Sequence, residues 1–219
     1  MPMALCSFPP VGLLLLTMFL AFAVSTCATA NGEPPAPSPA PPPADSRFLW
    51  ACCANTTNAS ICYDSLLPFA GSFHGNRVKV ARAAAVIAFG RLRGFYDELR
   101  RLQLQPGGTG AGRVADSALG SCATSADVSQ GREVDLLAIL RRLETAAGRR
   151  RGEQAEWDLH DANLYAGSVQ SCTMWCVDGF ASAGDAALAS PVVKKVVAWA
   201  TNLHLYGDIA LDLVASIKL

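Results

Sequence analysis

The first thirty residues contain no lysine, arginine, aspartate or glutamate. Over the whole chain neither sign of charge dominates, since 18 basic residues balance 18 acidic ones. That balance lacks the basic surplus of a nucleic-acid or anionic-membrane binder, and there is no acidic tail. Histidine is scarce: His74, His160 and His204 fall on different segments. Cys172-x-x-x-Cys176 with His160 is the one arrangement that suggests zinc, and it lacks other suitably spaced ligands. No Gly-x-Ser-x-Gly elbow and no marked Ser-His-Asp set occurs. The stretch "GGTGAG" precedes a helical pattern but lacks the lysine and preceding strand of a phosphate loop. Asp158 and Asp161 lie close together on one helical segment and read as a solvated face rather than a catalytic pair. No metal, cofactor or catalytic residue is expected, so a binding protein is favoured over an enzyme. Nothing alternates with period two over a useful length, which excludes a sheet.

What is present begins with an apolar run, "VGLLLLTMFLAFAV", from Val11 to Val24, followed by the small-x-small site Ala28-Thr29-Ala30. Residues 1–30 read as a secretory signal peptide, with an uncleaved signal anchor as the alternative, and no membrane attachment is expected after cleavage. About 190 residues remain, enough for one domain with a core. Residues 31–46, "NGEPPAPSPAPPPADS", cannot bury a core and read as an extended polyproline spacer. Its Ala-Pro and Ser-Pro repeats resemble the glycomodules of plant cell-wall proteins. Of eight cysteines, Cys6 and Cys27 leave with the signal peptide. Cys52, Cys53, Cys62, Cys122, Cys172 and Cys176 remain, an even number that implies disulfides in fifteen conceivable connectivities. A small lipid-transfer protein is excluded by the length, the count of six and the lack of Cys-x-Cys.

From Arg47 onward the periodicity is helical. Val78, Ala81, Ala85, Ala88, Leu92, Phe95, Leu99 and Leu102 step by threes and fours, with Lys79, Arg82, Arg91, Asp97 and Arg101 on the polar side. "QPGGTGAGR" ends this helix. A second helical segment runs from about Val114 to Ala147, with a phase slip and hence a bend at Ser129-Gln130-Gly131. Arg149-Arg150-Arg151 then complements a helix end. A third, from about Glu153 to Gly184, aligns Ala162, Tyr165, Val169, Cys172, Cys176 and Phe180. The fourth opens on the N-cap signal Ser190-Pro191 and carries a seam from Val193 to Ile217. The expected fold is all-α, an up-down-up-down four-helix bundle over residues 47–219. Residues 47–70 precede the first long helix as a helical hairpin, which a bridge between Cys53 and Cys62 would staple. Inside that loop stand two N-glycosylation signals, at Asn55 and Asn58, too close together for both to be used.

Taken together these features resemble the plant invertase and pectin methylesterase inhibitor family. The resemblance covers about Phe48 to Leu219 and rests on "CANTTNASIC", on Cys122 and Asp127 within "SALGSCATSADVSQGREVDLL", and on Cys176, Asp178, Gly179 and Phe180 within "MWCVDGF". "TNLHLYG" is similar more loosely to the family's last helix. The resemblance implies disulfides Cys53–Cys62 and Cys122–Cys176, whereas helical spacing alone lets either Cys172 or Cys176 reach Cys122. Cys52 and Cys172 are additions to the family pattern and are expected to pair, with free buried thiols or an intermolecular bridge as the competing outcomes. The implied function is that of a secreted inhibitor in the apoplast or cell wall. It would occlude, in a 1:1 complex, the cleft of a pectin methylesterase, or alternatively of an acid invertase. The chain lacks the Pro-Lys-Phe segment associated with the invertase target. Candidate contacts are Ser125, Asp127, Gln130, Asp158, Asp161 and Gln170, on the polar faces of the second and third helices. A non-inhibitory structural or signalling wall protein and a carrier of an apolar ligand are the other classes of reading.

Overall fold

The computed structural model describes residues 43–146 and 152–219. The signal peptide, most of the proline-rich spacer and the Arg149–Arg151 run lie outside the described residues. Every regular element described is helical. Two short helices, α1 (Ala44–Cys53) and α2 (Ala59–Leu66), make the N-terminal hairpin, and a 3₁₀ turn at Leu67–Phe69 leads into α3 (Ala70–Phe73). α4 (Arg77–Gln103), α5 (Arg113–Gln130) with α6 (Glu133–Ala146), α7 (Glu153–Ser182) and α9 (Pro191–Ala215) are the long elements, and α8 (Asp185–Ala189) is a short turn before the last.

Cross-links along the helices fix their directions. Lys195 near the start of α9 pairs with Glu98 near the end of α4 at 2.9 Å. Arg82 near the start of α4 meets Glu144 at the end of α6 at 3.0 Å. Ser129 and Cys122 of α5 meet Ser168 and Cys176 of α7, so the numbers run oppositely along that pair. Gln170 and Thr173 of α7 meet Asp208 and His204 of α9 in the same antiparallel sense. The packing order is therefore α4, α5–α6, α7, α9 and back to α4, an antiparallel four-helix bundle with α5 and α9 on opposite corners.

The seams named from periodicity are buried: all eight of the α4 positions and Val193, Val196, Ala200, Leu203, Gly207, Ala210, Val214 and Ile217 of the last segment. Phe89, Phe95, Leu99, Leu136, Leu140 and Phe180 fill the middle. Phe95 meets Trp199 edge to face at 5.8 Å, a favourable aromatic geometry. At Gly207 α9 passes close against α7, since a Cβ there would stand 3.1 Å from the Gln170 backbone nitrogen.

Local chemistry sets the ends of the elements. Asn76 caps α4, its Oδ1 accepting from the backbone N–H groups of Val78 and Lys79 at 2.9 and 3.3 Å. The glycine-rich loop after α4 is clamped: Thr109, fully buried, donates its N–H and hydroxyl to Asp116 Oδ1, both at 2.7 Å.

Four expectations need correction. The spacer ends earlier than residue 46, because Ala44, Asp45 and Ser46 already belong to α1. Pro43 suits the position before a helix, and Asp45 in the first turn complements the positive end of its dipole. The bend expected at 129–131 is a break between α5 and α6 at Gly131 and Arg132, with Ser129 and Gln130 still helical. Ser190 occupies the N-cap position but makes no cap bond, because its hydroxyl donates to the Thr109 carbonyl at 2.7 Å. Finally, Cys52 and Cys172 are not joined: both are buried free thiols. Cys52 lies on α1 near Arg77 at the start of α4, the end of the bundle where Arg142 meets Asp158. Cys172 is fourteen residues further along α7 than Asp158, about 21 Å at 1.5 Å per residue, far beyond disulfide reach.

Candidate functional site

Among the described residues two disulfides brace the fold. Cys53–Cys62 closes the hairpin with 5.6 Å between Cα atoms, and Cys122–Cys176 ties α5 to α7 at 4.7 Å. Cys172 sits one turn from Cys176 against the hydroxyls of Ser125 and Ser129. Burial pushes its thiol up to about 11, and the two neighbouring hydroxyls offset this only in part. Such a thiol is a poor nucleophile, so it packs as a small apolar side chain.

Around the α5–α7 bridge the surface has a distinct composition. Ser117, Ser121, Thr124 and Val128 recur at helical spacing along the outside of α5, with Gly120 and Ser125 beside them. Gln103 at the end of α4 and Trp175 on α7 flank this stripe, and together they line a shallow groove of about 740 Å³. Trp175 is 72 % exposed, one residue from a disulfide sulfur, and Val128 and Met174 are also exposed. None of the groove residues carries a charge. On the other side of the α7 ridge, Thr173, Met174, Val177 and Asp178 with Ala200, Thr201 and His204 line a smaller hollow of about 220 Å³. An indole fixed on a rigid helix beside hydroxyl groups suits a protein interface: it offers a large apolar contact and loses little conformational freedom on docking.

The six candidate contact residues scatter. Ser125 lines the groove. Asp127 is exposed next to it on α5, and Gln130 is half-buried with Oε1 turned away from solvent. Gln170 is engaged inside the bundle, donating to Asp208 Oδ1 at 2.8 Å. Asp161 is half-buried near Arg142. Asp158 is not on a solvated face: it is 5 % exposed, and Arg142 grips its two oxygens at 2.7 and 3.0 Å. Gln154 adds a third hydrogen bond at 3.2 Å. The Arg142 guanidinium holds the Asp158 carboxyl below its ordinary range, against the opposing effect of burial. Asp158 therefore acts as a structural clasp between α6 and α7.

Trp175 and the Ser117–Thr124 stripe were missed by sequence reasoning. The signal for Trp175 was available, because it falls off the Cys172, Cys176 and Phe180 stripe and so must face outward. Among the described residues no group of three His, Cys, Asp or Glu side chains is placed to hold a metal, and no helix is long and apolar enough to cross a membrane.

No known family's sequence model matches the chain. An uncharacterized protein of Oryza sativa subsp. japonica is 34 % identical to it over 149 residues, which are 64 % of this chain and 59 % of that protein. The chain thus spans less than two thirds of the length of the rice relative.

Proposed function

We propose that this protein is a secreted inhibitor, acting in the apoplast or cell wall, that docks its α5–α7 face over the substrate cleft of a pectin methylesterase. The observation that carries the reading is Trp175, held outward beside the Cys122–Cys176 bridge at the edge of an uncharged, hydroxyl-lined groove. The similarity of the cysteine spacing and of "MWCVDGF" to the inhibitor family supports the same reading. Mechanistically the inhibitor needs no covalent step. A standard interface removes about 800 Å² per partner from water, and a tryptophan that becomes buried in it typically carries about 2 kcal/mol or more of its affinity. The bridge keeps α5 and α7 in register before contact, which lowers the ordering cost of association. Acid invertase is the alternative target within the same mechanism, and the missing Pro-Lys-Phe segment disfavours it.

The test is a titration of the secreted, oxidised chain against purified plant pectin methylesterase and acid invertase from about pH 4.5 to 7.5. Saturable 1:1 inhibition of the methylesterase is expected. Inhibition of invertase alone would reverse the target. Inhibition of neither would move the structural wall-protein reading to the front.

A further inference from the structure

We infer that Asn55, and not Asn58, carries an N-linked glycan, and that this sugar stands on the side of the bundle away from the α5 groove. The inference rests on the secretory part of the proposed function.

Both signals lie in the loop closed by Cys53–Cys62, yet the fold treats them differently. Thr56 is buried, and its N–H and hydroxyl both donate to the Cys53 carbonyl, at 2.9 and 2.8 Å. This tight turn leaves Asn55 exposed between α1 and α2. The second signal is built into regular structure. Asn58 is half-buried at the N-cap position of α2, and Ala59 and Ser60 form its first turn. A glycosyltransferase must draw the asparagine and the hydroxyl two residues later into its active site, so the second signal requires that turn of α2 to unwind. The first signal requires no helix to open.

Timing separates them further. In the finished fold Thr57, the hydroxyl residue of the first signal, donates its N–H and Oγ1 to Asp212 Oδ2 at 2.7 and 2.9 Å. That partner lies 155 residues further along the chain, so the Thr57 hydroxyl stays free until the last helix has been made. The bridge that shapes α2 spans only nine residues and can form early. A glycan once placed on Asn55 overhangs Asn58, three residues away.

The Thr57–Asp212 contact also fixes where the sugar projects. It sets the hairpin tip against the C-terminal part of α9, and α9 occupies the corner of the bundle opposite α5. The glycan therefore covers the hairpin side and leaves the α5 stripe open, which suits a protein that must stay soluble while one face docks.

The experiment expresses the full chain in a eukaryotic secretory host and releases N-glycans enzymatically in ¹⁸O-water. Mass spectrometry of the peptide containing both asparagines then locates the labelled aspartate. Label at position 55 is expected. Asn55→Gln and Thr57→Val should each abolish the glycan-dependent mobility shift, and Asn58→Gln and Thr57→Ser should keep it. Label at Asn58, or a shift that survives Asn55→Gln, would overturn the inference. A secreted chain without sugar overturns the inference alone, whereas a chain retained in the cytosol overturns the secretory reading along with it.

Discussion

Replacing the two bridges separately should destabilise the protein to different extents, and the difference follows from the chain between the cysteines. The Cys122–Cys176 bridge spans a separation of 54 residues, and Cys53–Cys62 a separation of 9. The loop-closure relation then gives about 4.2 kcal/mol for the long loop and about 2.6 kcal/mol for the short one. All four cysteines are buried to nearly the same degree, so the packing lost on changing each pair to alanine is similar and largely cancels in the comparison. Cys122→Ala/Cys176→Ala should therefore cost about 1.6 kcal/mol more than Cys53→Ala/Cys62→Ala. In a domain of this size that corresponds to midpoint losses of about 8–16 °C against about 5–10 °C. The remaining thiols should not interfere, because burial raises both the Cys172 and Cys52 thiols and keeps them protonated. Non-reducing urea and thermal unfolding followed by far-UV circular dichroism reads both variants. Equal losses, or a larger loss from the hairpin variant, would refute the reasoning that the long bridge is the main restraint on the unfolded chain.

Three further outcomes follow from single contacts. Asp158→Asn should lower stability by about 2 kcal/mol in urea melts, between the value of an exposed pair and that of a fully buried one, because Arg142 is itself half-exposed. The same variant should inhibit the target normally wherever it remains folded. Gly207→Ala should cost about 1–3 kcal/mol by forcing α7 and α9 apart, and Gly71→Ala, with open space around it, provides the control in the same melts. Stability measured against pH should be flat through the wall range and fall in acid. Arg101, then Lys195, hold Glu98 at about 2, while Thr109 lowers Asp116 and Arg142 lowers Asp158. Carboxyls depressed by folding contribute fully above their unfolded values near 4 and lose that contribution as pH drops through the lower folded values. A stability maximum near pH 3 would contradict this.

The bundle was legible because its seams are long. The first, third and last long segments step by threes and fours without interruption, the second slips once, and the α4 seam is buried at each position named. The sequence was less informative wherever a polar side chain had two possible roles. Asp158 looks like any surface aspartate until α6 folds back and brings Arg142 onto it from sixteen residues upstream. Gln170 reads as a surface amide until Asp208 arrives from α9. Ser190 has the signature of a helix cap, yet its hydroxyl is taken by a loop eighty-one residues earlier. Tertiary contacts of this kind are invisible to local pattern, and so was the separation of Cys52 from Cys172. Trp175 differs, since its outward phase was readable from the cysteine stripe beside it. The hydroxyl stripe on α5 gains its meaning only once Trp175 and Gln103 stand at its edges.

The central claim is that the α5–α7 face performs the inhibition, and comparing two tryptophans tests it directly. Trp175 and Trp157 are both exposed on α7, 72 % and 58 % respectively, but only Trp175 borders the groove. Inhibition constants for pectin methylesterase would be measured with Trp175→Ala and Trp157→Ala chains whose unfolding midpoints match the parent. Trp175→Ala should lose about 30-fold or more, the equivalent of about 2 kcal/mol, and Trp157→Ala should change little. Equal inhibition by both variants and the parent would contradict the claim.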